Sequence, residues 1–321
     1  MKPKVDWPTL ALIILCYAVW LLLLIVAPLW LKIPFLGVVI ALHSSLQHEV
    51  LHGHPFRNQR INEVLVWPSL NIVIPYTRFR DTHLAHHNDA TLTDPYDDPE
   101  SNYLDPAVWS TLSRARQMAF RFNNTLIGRL MIGPIIGTVG FFAGELQRNT
   151  RRISMQWLGH LPAMIAVLAV VSASPTPLWT YAVSAYFGLA ILKLRTFLEH
   201  TAHDRCSHRT AIVESSGIFG FLFLHNNLHV VHHMHPKVAW YRLPALYASK
   251  KAHYLARNDG YLYRSYSEVF GKGVNKAFFP DKIVVYGSYW KEILMKGCEF
   301  KESQIAVGGD YLWQSTQEEP A

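Results

Sequence analysis

Eight of the chain's seventeen histidines lie at spacings that would bring their imidazoles together. Two are four residues apart in the segment HEVLH (48–52), and the pattern H-x-x-H-H occurs twice, as HLAHH (83–87) and HVVHH (229–233). Residues three and four apart share one face of a helix, and a metal ion needs several neutral imidazoles that converge on one point. The predicted metal ligands are His48, His52, His83, His86, His87, His200, His229, His232 and His233.

The number of these histidines indicates what they hold. Nine imidazoles are too many for one tetrahedral zinc ion, which takes four ligands. They suit two metal ions, each with four or five nitrogens and an open position. A histidine-rich pair of this kind favours iron and dioxygen, although the ligand type alone also admits zinc, copper or nickel. We predict no catalytic residues beyond the metal ligands.

Two long apolar hairpins would position these clusters. Residues 9–31 carry no charge, a turn is predicted at 32–34, and residues 34–47 lead back. Residues 153–192 are also uncharged and are broken in the middle by SASPTP (172–177). About 20 apolar residues cross a bilayer, so the pattern predicts four spans. His48 and His52 then extend from the end of the second span and His200 from the end of the fourth.

Charge and composition agree with a membrane protein. Half of the residues are hydrophobic, only 17% are charged, and the net charge is +7. Basic residues flank the four spans on one side, whereas the turns on the other side carry only Lys32. The positive-inside rule places both termini and all the histidine clusters in the cytoplasm. Three widely spaced cysteines exclude a disulfide framework, and no basic helix indicates nucleic-acid binding.

The predicted architecture is therefore an all-α membrane protein. A four-helix transmembrane bundle, made of two hairpins, carries interfacial helices and a cytosolic histidine-rich cap. Its parts are a first hairpin (1–54), a cytosolic or interfacial segment with the second cluster (55–152), a second hairpin (153–200), and a cap with the third cluster and a C-terminal tail (201–321). Short apolar runs at 64–77 and 130–144 are interpreted as interfacial or re-entrant.

The three clusters together resemble the histidine boxes of the integral-membrane fatty acid desaturase and hydroxylase superfamily. YTRFRDTH (76–83) is similar to the family's approach to the second box, DPYDDP (94–99) to the acidic segment after it, and MHP (234–236) to the close of the third. The resemblance covers roughly residues 42–236. It differs in the crowding of the third box by His225, Asn226 and Asn227, which leaves either His225 or Asn226 as an outer ligand.

The resemblance implies a non-haem di-iron centre with O2 as co-substrate, acting on a lipid-like chain. We expect a desaturase that introduces a double bond into a fatty acyl chain. A hydroxylase or monooxygenase of a lipid, alkane or carotenoid is the alternative. Electrons would come from an external donor of the ferredoxin, rubredoxin or cytochrome type, because the chain carries no haem-binding or C-x-x-C module of its own.

Two other classes of protein fit part of this pattern. HEVLH also matches the zinc-protease signature H-E-x-x-H, with Glu49 as the general base, but a protease leaves six histidines in the two matched boxes unexplained. A metal carrier would need polar ligands within the spans, where only His43 and His160 lie. Acidic residues near the boxes either orient imidazoles or are surface charges; they are Glu49, Asp81, Asp89, Glu199 and Asp204.

Overall fold

The structure is a computed structural model that describes residues 5–26, 28–88, 90–148 and 150–273, with two further strands at 283–286 and 305–308. Most of it is helical. The α-helices of the described residues are α1 (Trp7–Val26), α2 (Leu29–Leu51), α3 (Gln59–Val66), α4 (Tyr76–His86), α5 (Pro106–Thr111), α6 (Arg114–Asn123), α7 (Leu126–Met131), α8 (Gly133–Arg148), α9 (Arg151–Ser172), α10 (Leu178–Arg195), α11 (Ile218–Leu222), α12 (His229–Met234), α13 (Leu243–Ser249), α14 (Lys251–Arg257) and α15 (Tyr266–Glu268).

A few short strands depart from the all-α prediction. Strand β1 (Ile212–Val213) pairs in parallel with β2 (Leu262–Tyr263), and β3 (Ile283–Tyr286) pairs in parallel with β4 (Ile305–Gly308). Two 3-10 turns, Cys206–His208 and Trp240–Arg242, and a π-helical turn, Val269–Gly273, complete the described elements. The rest of the predicted C-terminal tail lies outside the described residues.

Three of the four predicted spans are supported by their length and composition. Helices α1, α2 and α9 are long and apolar enough to cross a membrane. Helix α10 occupies the position of the fourth span, but it has 18 residues and carries Lys193 and Arg195 in its last turn. Among the described helices it is not one of the candidate spans. The four-helix bundle therefore stays a prediction.

Helices α2 and α10 pack closely because small residues face each other. A Cβ atom added to Gly188 would lie 2.9 Å from the carbonyl oxygen of Gly37 and 2.9 Å from Cγ2 of Ile40. Glycine on both helices lets the backbones approach, as small residues do at helix contacts in membranes. This contact holds the ends of the two helices, from which histidines extend, next to each other.

The predicted turn at 32–34 is wrong. Helix α2 begins at Leu29, directly after Pro28, and Pro34 lies within the helix. Lys32 is buried, and its ammonium group donates to the carbonyl oxygen of Leu24 at 2.8 Å and to Oγ1 of Thr176 at 2.7 Å. The lysine thus caps the C-terminal end of α1 and joins it to the turn between α9 and α10.

A buried ion pair fixes the helix that carries the second box. Arg78 on α4 donates to both carboxylate oxygens of Glu145 on α8, at 2.6 and 2.7 Å, and to Oε1 of Gln156 on α9 at 3.0 Å. Trp157 Nε1 also donates to Glu145, at 3.0 Å. The apolar run at 130–144, predicted to be interfacial or re-entrant, falls largely in α8, which thereby holds α4 against α9.

Candidate metal centre

Four segments deliver the nine predicted ligands to one place. His48 lies in the last turn of α2, and His52 follows directly after the helix. The second box ends α4, with His87 immediately after it, and the third box forms most of α12. His200 follows α10 and forms an isolated antiparallel bridge with Thr210. The histidines predicted from spacing therefore come from helix ends that the fold packs together.

The structure brings all nine histidines together, and it divides them into two groups. In each group the ring nitrogens that could bind a metal lie within 4.8 Å of one another. The first group consists of His48, His52, His83, His87 and His232. The second group consists of His86, His200, His229 and His233. Five and four imidazoles match the expectation of two ions, each with four or five nitrogens.

The two H-x-x-H-H boxes are each shared between the groups. In the second box, the i, i+4 pair His83 and His87 belongs to the first group, and His86 belongs to the second. In the third box the assignment is reversed, because His229 and His233 belong to the second group and His232 to the first. Neither box could therefore be moved without affecting both groups.

Two imidazoles of the second group face each other through nitrogens that carry no proton. Nδ1 of His200 lies 3.2 Å from the carbonyl oxygen of Arg209, and Nδ1 of His229 lies 3.2 Å from that of Asn226. A carbonyl only accepts hydrogen bonds, so both Nδ1 atoms carry the proton. Their Nε2 atoms are only 2.9 Å apart. Two lone pairs at this distance repel each other unless a cation lies between them.

In each group, the spacing of the Nε2 atoms fits the binding of one metal ion. Nε2 of His200 is also 2.8 Å from Nε2 of His86. In the first group, Nε2 of His87 is 3.0 Å from that of His83 and 3.1 Å from that of His232. Nitrogens that bind one ion at about 2.1 Å and at right angles lie about 3.0 Å apart. The Nε2 atoms of His48 and His52 are buried without a hydrogen-bond partner in the described residues. A metal ion could bind the lone pairs of these nitrogens.

Two carboxylates after the second box orient its imidazoles. Oδ1 of Asp98 lies 2.7 Å from Nδ1 of His86, and the carboxylate of Glu100 lies 3.2 Å from Nδ1 of His83. Such partners fix the tautomer of a metal-binding histidine. Asp98 was predicted only as part of the acidic segment DPYDDP (94–99), and Glu100 lay outside the predicted site. The signal was the alternation of acidic residues at 98 and 100, directly after a turn formed by the carboxylate of Asp94.

His225 and Asn226, the two candidates for an outer ligand, differ in their contacts. The side-chain oxygen of Asn226 lies 3.2 Å from Nδ1 of His229. The ring of His225 stacks on Trp240, with centroids 6.1 Å apart, and belongs to neither histidine group. Asn226 is therefore the residue that contacts a predicted ligand.

Burial keeps most of these imidazoles neutral. It lowers the pKa values of His200, His229, His232 and His233 well below the usual range, and neighbouring imidazoles lower them further. Burial also opposes charge on His86, but Glu100 and Asp98 raise its pKa overall. Neutral imidazole is the form that binds a metal, so most of these histidines are in the protonation state that metal binding requires.

Glu49 belongs to a different cluster from the histidines beside it. Its carboxylate accepts from the backbone N–H of Trp240 at 3.0 Å and lies 3.7 Å from Nε2 of His54. His54 in turn bonds Asp6 at 2.8 Å. Asp6 and His54 were missed in the sequence because neither repeats the box spacing. This network joins the first box to the segment after the third.

The other acidic residues near the boxes differ in their contacts. Glu199 lies 3.7 Å from Nδ1 of His229 and 3.3 Å from Arg195. Asp81 pairs with Arg80 at 2.8 Å and with Arg152 at 2.7 Å, and Asp204 is exposed. Asp89 lies outside the described residues. Glu199 is thus close to a predicted ligand, His229.

Comparison with known proteins agrees with this geometry. The family model for fatty acid desaturases matches residues 25–266, which contain all nine histidines. A beta-carotene ketolase from Paracoccus sp. (strain N81106 / MBIC 01143) is 24% identical over 226 residues, which cover 67% of this chain and 74% of the ketolase. The match of the family model extends over most of the chain, and the chain belongs to the fatty acid desaturase family.

Proposed function

We propose that this protein is an O2-dependent, non-haem di-iron desaturase that introduces a double bond into the acyl chain of a lipid-like substrate. Family membership supports an oxidoreductase of the desaturase or hydroxylase type. The observation that carries the proposal is the division of nine buried or partly buried histidines into groups of five and four. A zinc protease needs only one such group, and Glu49, its base, lies in a separate network with Asp6 and His54.

The nine histidines would hold the two iron ions. When bound, such a centre supplies the chemistry by which dioxygen oxidises an unactivated C–H bond. In desaturation, O2, two external electrons and two protons remove one hydrogen from each of two neighbouring carbons and yield two waters. In hydroxylation, the same reactants leave one oxygen on the carbon and yield one water.

The chain's own residues hold the ligands in place and exclude water. Asp98, Glu100 and the carbonyl of Arg209 accept from Nδ1 atoms, so that Nε2 atoms face the two groups. The histidines of α2 and α12 are buried apart from partly buried His233, which keeps bulk water from a reactive oxidant. His48 and His52 lie at the end of α2, a candidate membrane span, which supports a reaction beside the membrane, where a lipid chain lies.

Oxygen insertion is the second candidate, because the named relative is a ketolase. Desaturation and oxygen insertion use the same kind of ligand set, so the product distinguishes them. We propose in both cases a multi-pass membrane protein with its termini and histidine boxes in the cytoplasm. An external ferredoxin, rubredoxin or cytochrome-type donor would supply the electrons.

Mass spectrometry of lipids from a host that expresses the protein tests this proposal. Desaturation gives products two hydrogens lighter, whereas hydroxylation under ¹⁸O2 gives products that contain one ¹⁸O atom. His232→Gln should abolish the product, and His253→Gln, which changes an exposed histidine outside both groups, should not. An unchanged lipid profile for the wild-type protein with loaded iron and a supplied electron donor would contradict the proposal.

A further inference from the structure

Arg129 on α7 is a buried cation that has no counter-ion among the described residues. Its side chain is only 3% exposed, and its Nε and Nη2 atoms have no hydrogen-bond partner in the described residues. The guanidinium carbon lies 4.8 Å from the centre of the Phe197 ring. Burial lowers the pKa of Arg129 to about 10, so the group is still charged at neutral pH. A buried charge of this kind is costly unless it is paired.

A second cation and an amide lie beside Arg129. A Cβ atom added to Gly133 on α8 would lie 3.2 Å from Oδ1 of Asn123, 3.4 Å from Cδ of Arg129 and 3.5 Å from Cγ of Lys193. One turn further along α8, Gly137 leaves room for the ammonium group of Lys193. Asn123 is buried, and its side-chain oxygen has no partner in the described residues. The three side chains therefore converge on one glycine-lined face of α8.

The nearest carboxylates are already engaged. Glu199 pairs with Arg195 at 3.3 Å, and Glu100 lies 3.2 Å from His83. Both act on Lys193 only at longer range, and neither Arg129 nor Lys193 has an ion pair within 4 Å in the described part of the chain. Two adjacent cations that repel each other with no anion between them indicate a site for an anion from outside the chain.

We infer that Arg129, Lys193 and Asn123 bind the anionic headgroup, a carboxylate or a phosphate, of a long-chain amphiphile. A guanidinium binds such groups through two parallel N–H bonds, and the free Nε and Nη2 atoms of Arg129 are a suitable pair. Rotation of the Asn123 amide presents its NH2 group as a further donor. The site goes beyond the proposed function, because binding of the headgroup requires neither iron nor turnover.

The site has a structural connection to the second histidine group. Phe197, on which Arg129 lies, also lines a small cavity together with His200, Thr196 and Glu100. The Phe197 ring thus separates a headgroup bound to Arg129 from a cavity that a predicted metal ligand, His200, also lines. A neutral carotenoid has no group for this site, whereas an acyl carboxylate or a phospholipid has one.

Binding of matched probes to the purified protein in dodecyl maltoside tests the inference. We expect the wild-type protein to bind hexadecyl phosphate at least tenfold more tightly than hexadecanol. The preference should fall below threefold in Arg129→Met and in Lys193→Met, and Arg129→Lys should retain part of it. Arg116→Met, which removes an exposed arginine, should leave it unchanged and so controls for the charge of the micelle.

Thermal stability provides a second measurement. Arg129→Met removes a buried charge that has no ion pair in the described residues, so the ligand-free variant should melt at the same temperature as the wild type or higher. An arginine that merely supports the fold would give a lower melting temperature. Equal binding of the two probes by the wild type, or a preference that survives in both methionine variants, would overturn the inference.

The source of the headgroup is identified in lipid nanodiscs. If the ligand is a permanent membrane lipid, native mass spectrometry finds phosphatidylglycerol retained by the wild type and lost from Arg129→Met. If it is the substrate, the variant raises KM for the anionic substrate and leaves iron content unchanged. Failure of the proposed function would show as absent oxidation products, with the probe preference still intact.

Discussion

His87 and His233 stack on each other, with ring centroids 4.3 Å apart and planes inclined by 16°. They hold the same place in the two H-x-x-H-H boxes, but His87 belongs to the first histidine group and His233 to the second. The two groups are therefore in direct contact through one imidazole from each. This contact places two candidate metal sites side by side rather than in separate parts of the molecule.

The division into groups predicts the metal content of single variants. Protein purified without oxygen should contain about two irons per chain. His232→Gln in the first group and His229→Gln in the second should each reduce the iron content to about one. His253→Gln should leave it at two. Elemental analysis measures this, and one zinc with no iron in the wild type would contradict the di-iron assignment.

Asp98 should matter more than its neighbour Asp97. Asp98→Asn replaces the charged partner of His86, and loss of such a partner weakens metal binding by roughly 10- to 100-fold. Asp97 is exposed, so Asp97→Asn should bind iron like the wild type. Iron titration of the metal-free proteins compares them, and equal affinities for both variants would show that the contact with His86 is unimportant.

Glu49→Gln distinguishes the oxidase from the protease. The glutamine oxygen can still accept from the N–H of Trp240, so we expect bound iron and measurable lipid oxidation at saturating iron. A protease that lost its general base would keep its metal and lose all turnover. Product analysis and metal analysis on one preparation are needed. Full metal occupancy with no oxidised lipid would argue against the oxidase.

Removing only one partner of the Arg78–Glu145 ion pair should cost more stability than removing both. Arg78→Met leaves a buried carboxylate without its cation, which typically costs about 3–5 kcal/mol. The double variant Arg78→Met/Glu145→Met should recover most of this loss. Arg152→Met removes an arginine whose side chain is 73% exposed, and it should cost less than about 1 kcal/mol. Unfolding in mixed detergent micelles measures these differences, and equal losses for both single arginine variants would refute the prediction.

Thiol labelling tests the proposed topology. In a background without the native cysteines, Ala173→Cys in the turn after α9 should react with an impermeant reagent in intact cells. Arg148→Cys at the end of α8 should react only after the cells are opened. Both positions are exposed in the structure. Labelling of Arg148→Cys from outside would place α8 across the membrane and separate the second box from the cytoplasm.

Helical spacing grouped eight of the nine predicted ligands into clusters, but it did not predict how the structure divides them between two groups. The periods of three and four residues placed His83, His86 and His87 on one face, a local property of the chain. Their division between two groups depends on where α12 and His200 lie, which is a matter of tertiary packing. The count of nine imidazoles predicted two ions, but neither this count nor the family resemblance assigned any histidine to either ion.

The missed residues were hidden for different physical reasons. Asp98 and Glu100 follow a proline-rich turn, and a turn explains acidic residues without any metal. Lys32 was predicted to lie in a turn, and its hydrogen bond to Thr176 is a long-range contact that no local pattern reveals. The buried state of Arg129 also comes from tertiary packing, since its own helix has only six residues.

Lys32 also bears on how the chain assembles. Its two acceptors, Leu24 and Thr176, are separated by about half of the sequence. When synthesis has reached only the end of α2, the lysine has the carbonyl but not the hydroxyl, and one of its N–H groups still needs a partner in an apolar surrounding. The N-terminal hairpin is therefore incomplete until the second half of the chain arrives, and a truncated chain should be a substrate for membrane quality control.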